Sequence, residues 1–166
     1  NSAVIISDDS ENNALFIGGN NGASLSLLSG SDINSNTSVT VYDNGILSSS
    51  SDLIKGCVLN NGEYNLSDAI ISSQITGEGS LNLSGDSSNS ALISQNSIFI
   101  NASSDSLTMN ADIRAEELLS LAFGTSIVNT ASTITTYNLN NFGTINGKNN
   151  SYGNLTVTNS GSSFGN

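Results

Sequence analysis

Proline, histidine and tryptophan are absent from this sequence, cysteine and methionine occur once each, and only three residues carry a positive charge. Without histidine the chain holds no Ser-His-Asp or Cys-His arrangement and no His-based zinc site. A lone cysteine, Cys57, excludes an internal disulfide and a Cys-rich metal site. The cations Lys55, Arg114 and Lys148 face fourteen acidic residues, for a formal net charge of -11. That balance excludes nucleic acid as a partner and disfavours an anionic membrane surface, since both are held by clustered Lys and Arg. Acidity of this kind keeps an extended surface soluble. No apolar run approaches the roughly 18 residues of a spanning helix, so no direct membrane insertion is expected of this segment.

Charged residues are only 10% of the chain, against about a quarter in ordinary soluble domains. Ser, Asn and Thr must therefore coat the surface. A polar, Ser/Asn-rich chain suggests disorder, but disordered segments are rich in Pro, Lys and Glu, whereas this one has regularly spaced Leu, Ile and Val. A folded core follows, and 166 residues fit one continuous domain over 1–166. Cys57 stands in "IKGCVLNNG", and its expected place is a buried small side chain. The chain opens on Asn1 without a signal-like segment and closes on Asn166 within its own pattern, so it reads as a piece of a longer protein.

What is there is a phrase. "GEGSLNLSG" at 77–85 returns more loosely as "GASLSLLSG" at 22–30 and "GNLTVTNSG" at 153–161. Apolar and polar residues alternate in it, as they do in "SVTVYD", "SIFIN" and "SLTMNADI"; period two is the mark of a strand. Between the runs lie Asn-Gly, Gly-Asn and Ser-Gly steps, whose residues tolerate the left-handed backbone of sharp corners. Only "ADIRAEELLSLAFG" at 111–124 has helix-forming composition. It also divides into two alternating runs, Ile113 with Ala115 and Leu119 with Leu121, and strand is the preferred reading.

An antiparallel sandwich and a parallel β-solenoid compete for such a strand list. Turn signals at Gly22, Asn44, Asn61, Gly79, Asn101, Ser120 and Gly143 recur at steps of 17 to 23 residues, which favours the solenoid with about seven coils. At about 4.8 Å per coil the rod would be roughly 35 Å long. Leu25, Leu27, Val39, Val41, Leu81, Leu83, Ile98, Ile100, Leu155 and Val157 are the expected inward side chains. Asn at the corners is expected to stack into amide ladders.

These residues resemble a known family. "ITGEGSLNLSG" resembles the repeat of autotransporter passenger domains. "SLTMNADIRAEELLSLAFGTSIVNTAS" is similar to the repeats of two-partner-secreted, filamentous-haemagglutinin-like exoproteins, in which Ala-x-Ile-x-Ala and Leu-x-Leu runs lead to an Ile-x-Asn step. The resemblance implies a right-handed parallel β-helix, secretion to the surface of a Gram-negative bacterium, and an adhesive or stalk role. It carries no functional residue across.

Chemistry has few remaining vehicles. Asp8, Asp9 and Glu11, and the pair Glu116 and Glu117, are the densest carboxylates. Paired carboxylates serve glycoside hydrolysis, but neighbours on a strand point to opposite faces and do not converge outside a turn. Solvated acidic turns are the expected reading. Calcium needs several oxygen ligands, and neither EF-hand spacing nor a calcium-binding nonapeptide occurs. "FGTINGKNN" at 142–150 shares a Gly-Lys step with phosphate-binding loops, but Phe142 replaces the first Gly and Asn149 the Ser or Thr. Six Asn-x-Ser/Thr triplets, at Asn36, Asn65, Asn82, Asn101, Asn149 and Asn154, match glycosylation acceptors and arise readily in such a composition. Thr133-x-Thr135 and Thr156-x-Thr158 are too patchy for a flat ice-ordering array.

The sequence thus leads to an adhesive or structural segment rather than an enzyme, without catalytic, cofactor-binding or metal residues. Its expected partners are a host or bacterial cell-surface protein or glycan, with self-association possible through open solenoid ends. The alternatives are a polysaccharide-active β-helix, either lyase or tailspike-like hydrolase, and a self-associating filament subunit.

Overall fold

The phrase at 77–85 folds as its punctuation predicts: Ser80–Ser84 is a strand with Leu81 and Leu83 buried, bounded by Gly77 and Gly85 at φ of 122° and 69°. The protein, described by a computed structural model, is defined over residues 4–7, 13–19, 21–28, 33–50, 53–101, 104–129, 132–147 and 156–157. These residues form β1 (Val4–Ser7), β2 (Asn13–Ile17), β3 (Ala23–Ser26), β4 (Thr37–Val41), β5 (Gly45–Ser50) and β6 (Val58–Asn60). There follow β7 (Glu63–Ser67), β8 (Ile70–Ile71), β9 (Ile75–Thr76), β10 (Ser80–Ser84), β11 (Asp86–Asn89) and β12 (Ile93–Ile100). The last are β13 (Ser106–Met109), β14 (Ile113–Leu121), β15 (Ser126–Asn129), β16 (Ile134–Asn141), β17 (Thr144–Gly147) and β18 (Thr156–Val157). Among the described residues there is no helix, and 111–124, the one helix-like stretch, carries β14 with Ile113, Ala115, Leu119 and Leu121 all buried.

Successive turns lay strands on three faces. The first face runs through β2, β4, β6, β9, the opening halves of β12, β14 and β16, then β18. The second runs through β3, β5, β7, β10 and the closing halves of β12, β14 and β16. The third is a five-stranded sheet of β8, β11, β13, β15 and β17. All these pairings are parallel, and partners stand one turn apart, from 17 residues (Ile46 with Glu63) to 24 (Asn13 with Thr37). The chain is therefore an all-β parallel solenoid of about six turns.

Its core is built of columns. Leu15, Val39, Val58, Ile75, Ile93, Ile113 and Ile134 lie in register on the first face, all buried. Leu25, Leu47, Tyr64, Leu81, Ile98, Leu119 and Leu139 do the same on the second, with only Leu25 half-buried. Burying such side chains stabilises the stack by about 25 cal/mol for each Å². Of the ten residues expected inside, Val39, Val41, Leu81, Leu83, Ile98 and Ile100 are buried and Leu25 and Leu27 half-buried. Leu155 and the side chain of Val157 lie outside the described residues.

The corner between the first two faces is made in two ways. In the early turns it is a glycine turn: a Cβ on Gly62 would strike the carbonyl oxygens of Tyr42 and Gly45, so the backbones pack too closely for any side chain. In the later turns a single long strand rounds the corner through a bulge, with register shifts between Gln95 and Ser97 and between Ala115 and Leu118. This corrects the reading of the turn signals. Gly22, Asn44, Asn61 and Gly79 open strands of the second face, whereas Ser120 lies inside β14 because the bulge dispenses with a glycine turn there.

One pairing departs from the expected parallel pattern. β1 runs antiparallel to β2, from Val4 opposite Ile17 to Ser7 opposite Ala14.

Gly62→Ala is expected to lower stability by about 1–3 kcal/mol in urea unfolding, because backbone must shift to admit the methyl group. Leu81→Ala, which empties a fully buried site in mid-column, should lower it by about 2–5 kcal/mol. A neutral result at both positions would show that the turns are not stacked in this register.

A candidate binding face

Outward side chains of the second face form rows down the solenoid. Ser26, Ser48, Asn65 and Asn82 make one row, and Ser50, Ser67 and Ser84 make the next. The amides in the first row are locked together. Asn82 donates Nδ2–H to Oδ1 of Asn65 at 2.8 Å, and Oε1 of Glu63 accepts from Nδ2 of Asn65 at 2.9 Å and of Asn82 at 3.3 Å. Asn101 adds a longer bond of 3.4 Å to Oδ1 of Asn82. Parallel register places identical amides one above the other, so each can donate to the next, as in cross-β stacks.

Beside this ladder runs an open groove of about 330 Å³, lined by Ser26, Ser48, Ser50, Asn65, Ser67 and Ser84 over Leu27 and Leu66. β5, β7 and β10 each have strand neighbours on both sides, which consumes their backbone groups. The groove lining offers hydroxyls and an amide, which make neutral hydrogen bonds, with the Glu63 carboxylate beside it in the ladder. A second pocket, of about 20 Å³ among Ile54, Val58, Tyr64, Leu66, Ile71 and Ile75, holds no more than a water.

The expected amide ladders at the corners take another form. Oδ1 of Asn44 accepts from Gly19 N–H at 3.0 Å and Oδ1 of Asn61 from Glu78 N–H at 3.1 Å, so these side chains staple the backbone of neighbouring turns. The reason is geometric: a turn leaves N–H groups unpaired, and a short amide side chain reaches them. The ladder of amides lies on a flat strand face instead. One amide pair is internal: buried Asn60 donates Nδ2–H to Oε1 of buried Gln95 at 2.6 Å and to Ser80 O at 2.9 Å, while Gly62 N–H donates to Oδ1 of Asn60 at 3.2 Å. Tyr64 is another buried polar group with a partner, its hydroxyl 3.1 Å from Oγ of Ser49.

The other residues singled out from the sequence disperse. Cys57 is exposed, against expectation, because it occupies an outward position next to inward Val58. Glu116 and Glu117 are both exposed: the bulge of β14 projects the two neighbours together, where a regular strand would have turned one inward. Asp8, Asp9 and Glu11 lie outside the described residues, as do Lys148, Asn149, Asn154 and Thr158. Among the described residues no three His, Cys, Asp or Glu side chains gather as metal ligands. Thr135 stacks on Arg114 and Arg114 on Ser94, so the first face carries no continuous threonine array. Asn36 is exposed in a turn, while Asn65 and Asn82 are engaged in the ladder. The ladder asparagines are marked in the sequence only as Asn-x-Ser triplets and the groove by no motif; the register of "YNLS" over "LNLS" is what brings them together.

Comparison with protein-family models, with curated proteins and with solved structures finds no match.

Asn60→Leu is expected to destabilise the chain by about 1–3 kcal/mol in urea unfolding, since Oε1 of Gln95 and the Gly62 N–H would lose their buried partner. Asn82→Leu, on the half-exposed ladder, should lower stability by no more than about 1 kcal/mol. Equal effects would mean that the internal pair is solvated.

Proposed function

We propose that this chain is a structural and adhesive segment of a secreted bacterial surface protein, a rigid stalk that presents its outer faces for attachment. The observation that carries this reading is the economy of the solenoid: aliphatic columns occupy the inside, and the second face carries outward rows of serine and asparagine. Such a rod holds shape without a large globular core, and its polar rows offer many weak hydrogen bonds over a long surface, which suits multivalent contact. The family likeness of the repeats adds a right-handed winding, a seventh coil and continuation into a longer rod. Export and surface exposure belong to the same reading, with a cell-surface protein or glycan as the partner.

Beads coated with the chain are expected to retain host or bacterial cells several-fold better than beads coated with a globular protein of equal net charge. Equal retention across a panel of cell types would refute the adhesive role.

A further inference from the structure

We propose that the groove beside the amide ladder binds an unbranched, uncharged oligosaccharide lying along the rod. The inference deepens the adhesive reading and rests on it for there being a partner; the chemistry of that partner comes from the groove.

The groove crosses β3, β5, β7 and β10, which are successive rungs in parallel register. Three steps of about 4.8 Å make it about 14 Å long. A pyranose ring with its linkage is about as long as one rung, so a short run of sugar residues in line spans it.

Its lining has the two characters of a sugar. The hydroxyls of Ser26, Ser48, Ser50 and Ser67 have no hydrogen-bond partner among the described residues, whereas Oγ of Ser84 donates to Leu66 O at 3.3 Å. Each free hydroxyl both donates and accepts, as each hydroxyl of a pyranose does. Beneath them lie half-buried Leu27 and buried Leu66, an apolar floor for the C–H face of a ring. One rung beyond, in the row of the ladder, outward Phe99 stands opposite Asn82 and is half-buried, a second surface for such a face. A few placed polar groups over an apolar floor is the usual make-up of a small-molecule site.

Charge chooses among saccharides. Arg114 stands outward on the first face and Lys55 precedes β6, so neither described cation lines the groove. The carboxylate beside it, Glu63, already accepts from Asn65 and Asn82. A uronate, sialate or sulfated sugar would meet that carboxylate and a net charge of -11 with no cation to receive it. A peptide added as a strand would need an open strand edge, and β5, β7 and β10 are paired on both sides. The occupant that remains is neutral and rich in hydroxyls.

The test is saturation-transfer NMR on the full chain, with cellotriose and maltotriose as neutral probes and trigalacturonate as the anionic one. Transfer is expected to at least one neutral probe, with a dissociation constant on the order of millimolar, and to trigalacturonate at least tenfold more weakly. Ser67→Phe, which fills the groove, should abolish the transfer, while Thr40→Phe, outward on the first face, should leave it unchanged. Should Ser67→Phe lose its β circular dichroism, Ser67→Val takes its place: it removes the hydroxyl at similar size and should weaken binding at least threefold. No transfer to either neutral probe, equal transfer to trigalacturonate, binding unchanged by the Ser67 variant, or equal loss in Thr40→Phe overturns the proposal. Cell retention without sugar binding refutes this proposal alone, and sugar binding without cell retention refutes the adhesive reading alone.

Discussion

Register is the constraint on which this molecule depends. In a parallel solenoid each residue rests on its counterpart one turn away, so every strand must present its apolar side chains at the same height as the strand below. The columns from Leu15 to Ile134 and from Leu47 to Leu139 meet this demand with branched aliphatics and one tyrosine. Tyr64 is the exception that shows the rule: its larger ring is tolerated because Ser49, one turn away in the adjacent column, is small and supplies a partner for the hydroxyl. A slip of one residue anywhere would turn the inward set outward over the rest of the strand. Glycine turns and bulges are two answers to the same need, to bend the chain without losing height.

The strands that bury Leu81, Leu83, Ile98 and Ile100 are legible in the sequence because alternation alone defines them. So is β14, where spacing overrides helix-forming composition: Ile113, Ala115, Leu119 and Leu121 are inward only as two strand runs joined by a bulge. The third face is legible only in part: β13 alternates in "SLTM", but β11 does not. β11 reads "DSSN" and has no apolar alternation; it becomes a strand because β8 and β13 hold it on both sides, a tertiary cause that a local pattern cannot display. Cys57 misleads for a related reason. Apolar neighbours in sequence suggest burial, whereas strand parity sets it outside beside inward Val58.

The candidate face escapes sequence reading more fully. Asn65 and Asn82 stand in Asn-x-Ser triplets that recur along this asparagine-rich chain, and nothing local marks them as neighbours. Only the 17-residue step between β7 and β10 brings them into contact and turns two surface amides into a ladder anchored on Glu63. The corners show the complementary lesson. Asn44 and Asn61 are turn residues, as their Asn-Gly steps imply, but their side chains serve backbone N–H groups of adjacent turns, since a corner exposes donors that a strand does not. Composition locates the asparagines; the winding decides what each one bonds.

The unequal length of the turns, from 17 to 24 residues between partners, has an evolutionary consequence. Residues added at a corner lengthen a loop without moving the columns, and the entropy of closing a longer loop grows only slowly with its length. Such a scaffold separates what must stay constant from what can drift. Its inner walls preserve one shape while its margins lengthen, shorten and change sequence independently, so that new contacts arise at the rim without refolding the rod.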